Sequence, residues 1–210
     1  IRELRYRYPT GPEVIHGLDV TIPARSRIAV VGETGSGKTT FAKLLTRMMD
    51  PASGTIEVGG VPLHLVPYDS LRSRVIMVPQ EGFLFDTTVA GNLLYGRPDA
   101  SEAQMRQALD ELGLGTWAEE LPEGLETPVG QRGESLSAGE RQLVALARAY
   151  LADPDIIVLD EATSALDNES EARITQELKG VLVNRTSITI AHRLTTVMDS
   201  DRICFIKDGK

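Results

Sequence analysis

At 210 residues and 41% hydrophobic, the chain is long enough to bury one core, or a core with an attached subdomain. Its net charge of -8 and scattered basic residues exclude the clustered positive face that a phosphate backbone attracts, so nucleic acid is not an expected partner. The apolar runs fall far short of the roughly 20 residues that span a bilayer, no secretory leader is visible, and Cys204 has no second cysteine to pair with.

The first thirty residues alternate. Leu4, Tyr6 and Tyr8 fall on one face of a predicted strand and Arg5 and Arg7 on the other, and Leu18, Val20 and Ile22 alternate with Asp19 and Thr21 in a second. This pattern predicts an antiparallel pair with one wet face. Ile28 to Val31 is instead continuously apolar, as strands covered on both faces of a parallel sheet are.

The next eight residues, GETGSGKT from Gly32 to Thr39, fit a phosphate-binding loop placed between a buried strand and a helix. Gly32, Gly35 and Gly37 allow close backbone approach. The N–H groups of Glu33, Thr34, Ser36 and their neighbours then form an anion nest at a helix start. Lys38 places its charge on the β- and γ-phosphates, and Thr39, followed by Thr40, offers a hydroxyl to Mg²⁺.

Lys38 to Met49 has helical composition, Thr55 to Val58 and Val75 to Val78 read as short strands, and about 88–150 turns helical. Ser101 to Gln104 is a capping-box start within that stretch. Ile156 to Leu159, Thr186 to Ile190 and Arg202 to Ile206 are strand-like again, with a helix near Glu169 to Leu178. The run IIVLDE delivers Asp160 to the carboxyl edge of a sheet, where ligands bind in open α/β folds. Asp160 is placed to hold Mg²⁺, and Glu161 to polarise an attacking water. Strands and helices on both sides of a helical insert predict an α/β core with an N-terminal antiparallel β part, over about 1–87 and 152–210, and a helical subdomain over about 88–151. Both ends of the chain are strand-like, as expected of a piece of a longer protein.

LSAGE, from Leu136 to Glu140, resembles the LSGGQ signature of the ATP-binding cassette (ABC) family. Ser164 to Asp167 resembles its D-loop, His192 in IAHRL its switch histidine, and Gln80 in MVPQ its Q-loop glutamine. Tyr8 in YRYP matches the aromatic that stacks on adenine, and TPVGQRG, Thr127 to Gly133, is similar to an element of exporter-type domains. The resemblance covers essentially the whole chain, with the motifs in family order.

It implies a P-loop NTPase fold and an ATPase that works as a head-to-tail dimer. Each ATP is sandwiched between one subunit's phosphate loop and the other's signature. Gln80 joins Thr39 and Asp160 on Mg²⁺, Glu161 and His192 act with Lys38 in catalysis, and Ser137, Gly139 and Asp167 serve the dimer contact. The transmembrane domains of an exporter are the implied partners, through the Gln80 loop and Thr127 to Gly133, which places the chain on the cytoplasmic face of a cell membrane. The local physics agrees: Ser137 is a good N-cap, and Leu143, Val144, Ala147 and Tyr150 run down one face of the helix it starts.

Three positions depart from the family pattern. Ala138 replaces a glycine, Gln131 stands where a glutamate is usual, and Glu140 replaces a glutamine. Glu140 either adds negative charge near a partner's ATP or closes a capping box with Ser137; the second reading is preferred because the carboxylate then folds onto its own helix end. The altered signature keeps an alternative open, in which the domain is the dimerisation half of an asymmetric pair with hydrolysis mainly at one site. A soluble ABC protein acting on DNA or ribosomes is disfavoured by the acidic charge and by the exporter-like TPVGQRG. His16 and His64 have no metal-ligand spacing, Trp117 reads as local core and Cys204 as a small packed hydrophobe. Phe83, Leu84 and Phe85 fit equally a core and a docking surface for membrane-domain helices.

Overall fold

The computed structural model describes residues 1–161, 182, 184–191 and 197–210. The expected helix near 169–178, the Ser164 to Asp167 loop and His192 lie outside the described residues. The described chain forms two compact units: Ile1–Met77 with Asp155–Asp160 and Asn184–Lys210, and Val78–Pro154 grouped with Glu161.

In the first unit, β1 (Arg2–Arg7), β2 (Glu13–Leu18), β3 (Arg27–Val31), α1 (Lys38–Leu45), β4 (Ser53–Thr55), β5 (Glu57–Val58), β6 (Val61–Pro62), α2 (Tyr68–Arg74), β7 (Val75–Val78), β8 (Ile156–Asp160), β9 (Thr186–Ile190) and β10 (Arg202–Phe205) follow one another. Strands β2, β1 and β4 make an antiparallel sheet in that order. The main sheet is ordered β10-β3-β9-β8-β7, with β10, β3, β9 and β8 paired parallel. Ile28, Ala29 and Val30 are buried at its centre, which explains their unbroken apolar run. Leu4 and Ile15 of the antiparallel sheet share one core with Phe41 and Leu44 of α1 and with Val30, Val158, Ile188 and Ile190 of the parallel sheet. This is the expected fold class, an α/β core with an antiparallel β part and a helical unit.

Several boundaries differ from the sequence-based expectation. The second strand ends at Leu18, because the Asp19 carboxylate accepts the Glu3 N–H at 2.8 Å and takes the place of a ladder bond. Val20 and Ile22 still pack against the core from beyond the strand. Helix α1 stops at Leu45 rather than Met49: Arg47 is left-handed at φ 50°, and the Thr46 hydroxyl donates to the Ala42 carbonyl. The strand expected over Thr55 to Val58 breaks at the buried Ile56, whose carbonyl accepts the Leu63 N–H.

The second unit contains α3 (Val89–Leu94), α4 (Glu102–Glu111), α5 (Gly115–Glu120) and α6 (Ala138–Leu151). Three of these helices are capped by side chains: Thr88 accepts the Gly91 N–H, Ser101 and Gln104 close a capping box, and Ser137 and Glu140 close another. Helix α6 is the buried axis of the unit, with Val144 and Ala147 inaccessible and Leu143 nearly so. Among the described residues no helix is long and apolar enough to cross a membrane.

Candidate functional site

In the first unit, β3 leads straight into the Gly32 to Thr39 loop, which turns through a Ser36 N–H bond to the Glu33 carbonyl and enters α1 at Gly37. Glu33, Thr34 and Gly35 are exposed on this turn, whereas Ser36, Gly37 and Lys38 are buried. A side chain at Gly32 would place its Cβ 2.1 Å from the Ile206 carbonyl oxygen, so glycine is required there by the chain's own β10 end. At Gly35, φ is 83° and the Cβ direction is open, which leaves the backbone free for a ligand's approach.

The Lys38 ammonium donates to the carbonyls of Gly32 and Glu33 at 2.9 and 2.8 Å, so its charge is held inside the curve of the loop. The Ser36 hydroxyl is buried without a hydrogen-bond partner among the described residues. A buried orphan hydroxyl beside a buried cation and a row of backbone N–H groups fits an anion with several acceptor oxygens.

The strand register aligns the rest. Asp160 pairs with Ile190 and Ile190 with Val30, so Asp160 is level with the end of β3 at the carboxyl edge of the sheet. Its carboxylate accepts from the Thr39 hydroxyl at 3.5 Å, and it is almost fully buried. Two hard oxygen donors beside a phosphate loop fit Mg²⁺, which takes one or two carboxylates and completes its shell with water and substrate phosphates. Tyr8, just past β1, shares a hydrogen bond with the Thr40 hydroxyl at 3.0 Å and meets Tyr6 edge to face. The first unit therefore assembles Tyr8, the 32–39 loop, Thr40 and Asp160.

The second unit contains Gln80, Glu161 and the Leu136 to Glu140 signature. The Gln80 side-chain amide donates to the Glu161 carboxylate at 3.1 Å. Glu161 is left-handed at φ 48°, a conformation that costs a non-glycine residue about 1 kcal/mol or more and recurs at functional positions. Ser137 is exposed at the start of α6, and its hydroxyl accepts the Glu140 N–H at 3.2 Å while the Glu140 carboxylate accepts the Ser137 N–H at 2.7 Å. The other Glu140 oxygen accepts from the Trp117 indole at 3.1 Å. Burial works to raise the Glu140 carboxyl, but the bonds from Ser137 and Trp117 outweigh it and hold it below the ordinary glutamate value. Trp117 is half-buried and does more than fill local core: it fixes this carboxylate.

Thr127 to Gly133 pairs with the start of α3, through Val89 N–H to Thr127 carbonyl and Val129 N–H to Thr87 carbonyl. Gly139 is half-buried in the first turn of α6 and the Ala138 methyl is exposed. The Phe83 to Phe85 run divides: Leu84 is fully buried, while Phe83 and Phe85 are exposed and Phe85 stacks on Tyr95. Asp167 and His192 lie outside the described residues. His16 is half-buried on β2, bonded to the Glu13 carbonyl, and burial pushes the Cys204 thiol up, in keeping with a packed hydrophobe. Asn92 and Gln142, both fully buried, were not singled out by the sequence. The available signal was a polar residue inside an apolar helical face.

The family model described as "ABC transporter" matches residues 15–164. The chain is 45% identical over 208 residues to an "Uncharacterized ABC transporter ATP-binding protein YknV" of Bacillus subtilis, covering 99% of this chain and 34% of that protein. It is 44% identical to an "ATP-dependent lipid A-core flippase" of Neisseria meningitidis, covering 99% of this chain and 33% of that one. A solved "bacterial Atm1-family ABC exporter with ATP bound" superposes with a TM-score of 0.93 at 41% identity, over 99% of this chain and 36% of its own. The chain thus spans about a third of the length of the relatives it matches.

Proposed function

The chain belongs to the ABC transporter family of ATPases, and from that premise we propose that it powers export across a membrane by ATP-driven head-to-tail pairing with a second nucleotide-binding domain. The observation that carries this reading is the pair of chemistries the chain holds. One is a lysine-centred anion loop with an oxygen pair fit for Mg²⁺, and the other is an exposed, side-chain-capped helix start at Ser137. Backbone N–H groups and dipole give such a helix start a positive end suited to phosphate.

In this mechanism the Tyr8 ring stacks on the base. The N–H groups of 32–39 and the Lys38 ammonium hold the phosphates and offset the charge that develops on them. Mg²⁺, when bound by Thr39, Asp160 and Gln80, neutralises phosphate charge. Glu161 accepts a proton from, or orients, the attacking water, and His192 contacts the γ-phosphate. Ser137, Gly139 and Asp167 act at the interface between copies. The likeness to an exporter and to a flippase supports transport, with membrane domains joined, in this proposal, through the Gln80 loop and Thr127 to Gly133 at the cytoplasmic face of a membrane.

The asymmetric alternative rested on the altered signature. Glu140 is engaged by its own helix end and by Trp117, which supports an unimpaired signature and hence the symmetric reading. Mixing Lys38→Ala copies with Ser137→Arg copies tests both. Each variant alone has no intact composite site, whereas random head-to-tail mixing restores about one quarter of wild-type sites. Recovered turnover supports self-pairing. No recovery, with ATP binding retained by the Ser137→Arg copy, favours the asymmetric pair.

A further inference from the structure

We propose that Gln142 is a positioning residue for the reaction, fixing the segment that presents Gln80 to Glu161; this rests on the reading of Gln80 and Glu161 given above. Gln142 stands in α6 two residues past Glu140 and is fully buried. Its position among Leu143, Val144 and Ala145 is one where an apolar residue would serve packing better, since a buried amide without full partners is costly. Its side-chain N–H donates to the Pro79 carbonyl at 3.0 Å, and among the described residues its buried Oε1 has no hydrogen-bond partner. Among the described residues this is the one bond the amide makes, and it falls on the residue directly before Gln80.

The rest of the segment is held to the same helix. A Cβ at Gly82 would lie 2.7 Å from the Arg141 carbonyl carbon and 2.8 Å from the Gln142 nitrogen, so backbone presses on backbone there and no other residue fits. Arg148, two turns further along α6, donates to the Phe83 carbonyl at 3.0 Å, and Leu84 is fully buried. Three successive attachments, at 79, 82 and 83, fix this stretch along α6. Gln80 lies inside it with an exposed side chain, and that side chain donates to the Glu161 carboxylate. Of the three, the Gln142 bond is nearest to Gln80 and sets where its backbone starts. Gln142 touches no reacting atom; it acts through Pro79 and Gln80.

The test is a double-mutant cycle in the full-length protein. Gln142→Met keeps the length and volume of the side chain and removes the donor. Gln142→Glu keeps the shape and places an acceptor against the Pro79 carbonyl, so it serves if the methionine variant does not fold. The expected result is a fall in kcat of about ten-fold or more, the usual effect of removing an orienting partner behind a functional group. The KM for ATP should change little, because the phosphate loop and Tyr8 are untouched. In a Gln80→Ala background the same substitution should have no further effect on kcat. Additive losses in the double variant, or a loss confined to thermal stability with kcat intact, would overturn the positioning role while leaving the assignment of the ATP site standing. Wild-type turnover in Gln80→Ala alone would overturn the role of Gln80, and the inference with it.

Discussion

Glu140 shows how a single substitution in a signature changes meaning once its partners are known. As a charge it would repel a phosphate approaching Ser137. As a capping residue it accepts the Ser137 N–H and the Trp117 indole, and its charge faces its own helix end, where the dipole welcomes it. Because these bonds hold its carboxyl below the ordinary glutamate value, the folded state favours the ionised form. Its stabilisation is therefore complete at neutral pH and is lost as the pH falls from the ordinary glutamate value through the lowered one. Glu140→Ala should cost about 0.5–1 kcal/mol at neutral pH, the lower part of the range for a partly exposed cap. The difference in melting temperature from wild type should narrow in acid. Glu140→Gln, which keeps the capping box, should leave ATP turnover within about three-fold of wild type, less than 1 kcal/mol in the barrier. A rise of a hundred-fold on removing the charge would restore the phosphate-repulsion reading.

At the level of elements, α6 and the 78–92 stretch beside it form the part of the second unit on which most depends. Asn92 in α3 closes that stretch: its carbonyl accepts the Phe85 N–H at 2.9 Å, and its amide donates to the Phe85 and Thr88 carbonyls at 3.0 Å each. Asn92→Ala removes all three bonds inside a buried site and should cost about 2–4 kcal/mol, read as a shift in denaturant midpoint without a change of slope. A loss under 0.5 kcal/mol would mean that water replaces the side chain at no cost. These elements also mark how far the sequence was legible. The phosphate loop, the Asp160 strand and the Ser101 and Ser137 caps were readable because each is local: a few residues with fixed spacing state the physics. The end of α1 at Leu45 and the early close of β2 were not, since they depend on Arg47 adopting φ 50° and on Asp19 reaching Glu3. Phe83 and Phe85 could not be separated from Leu84 by pattern, because burial there is decided by α6, more than fifty residues away in the chain. Asn92 and Gln142 offered only the weak signal of a polar residue in an apolar helical face, because the backbone groups they bind, near in the chain for Asn92 and sixty-three residues away for Gln142, have no sequence signature.

At the scale of the molecule, the first unit carries an anion loop and the second an exposed start of the signature helix, and in the proposed pairing the two belong to opposite sides of a pair of domains. We propose that this chain hydrolyses ATP with Glu161 and that ATP itself brings the domains together. The most direct measurement is of Glu161→Gln in Mg-ATP, with turnover followed by phosphate release and association by sedimentation. Removing the carboxylate that handles the water should lower turnover by at least about a hundred-fold, the usual scale for a general base. ATP binding is kept, so the variant should accumulate as an ATP-bound dimer that Lys38→Ala does not form. Wild-type turnover in Glu161→Gln, or a variant that stays monomeric with ATP bound, would rule out this role for Glu161 and for ATP.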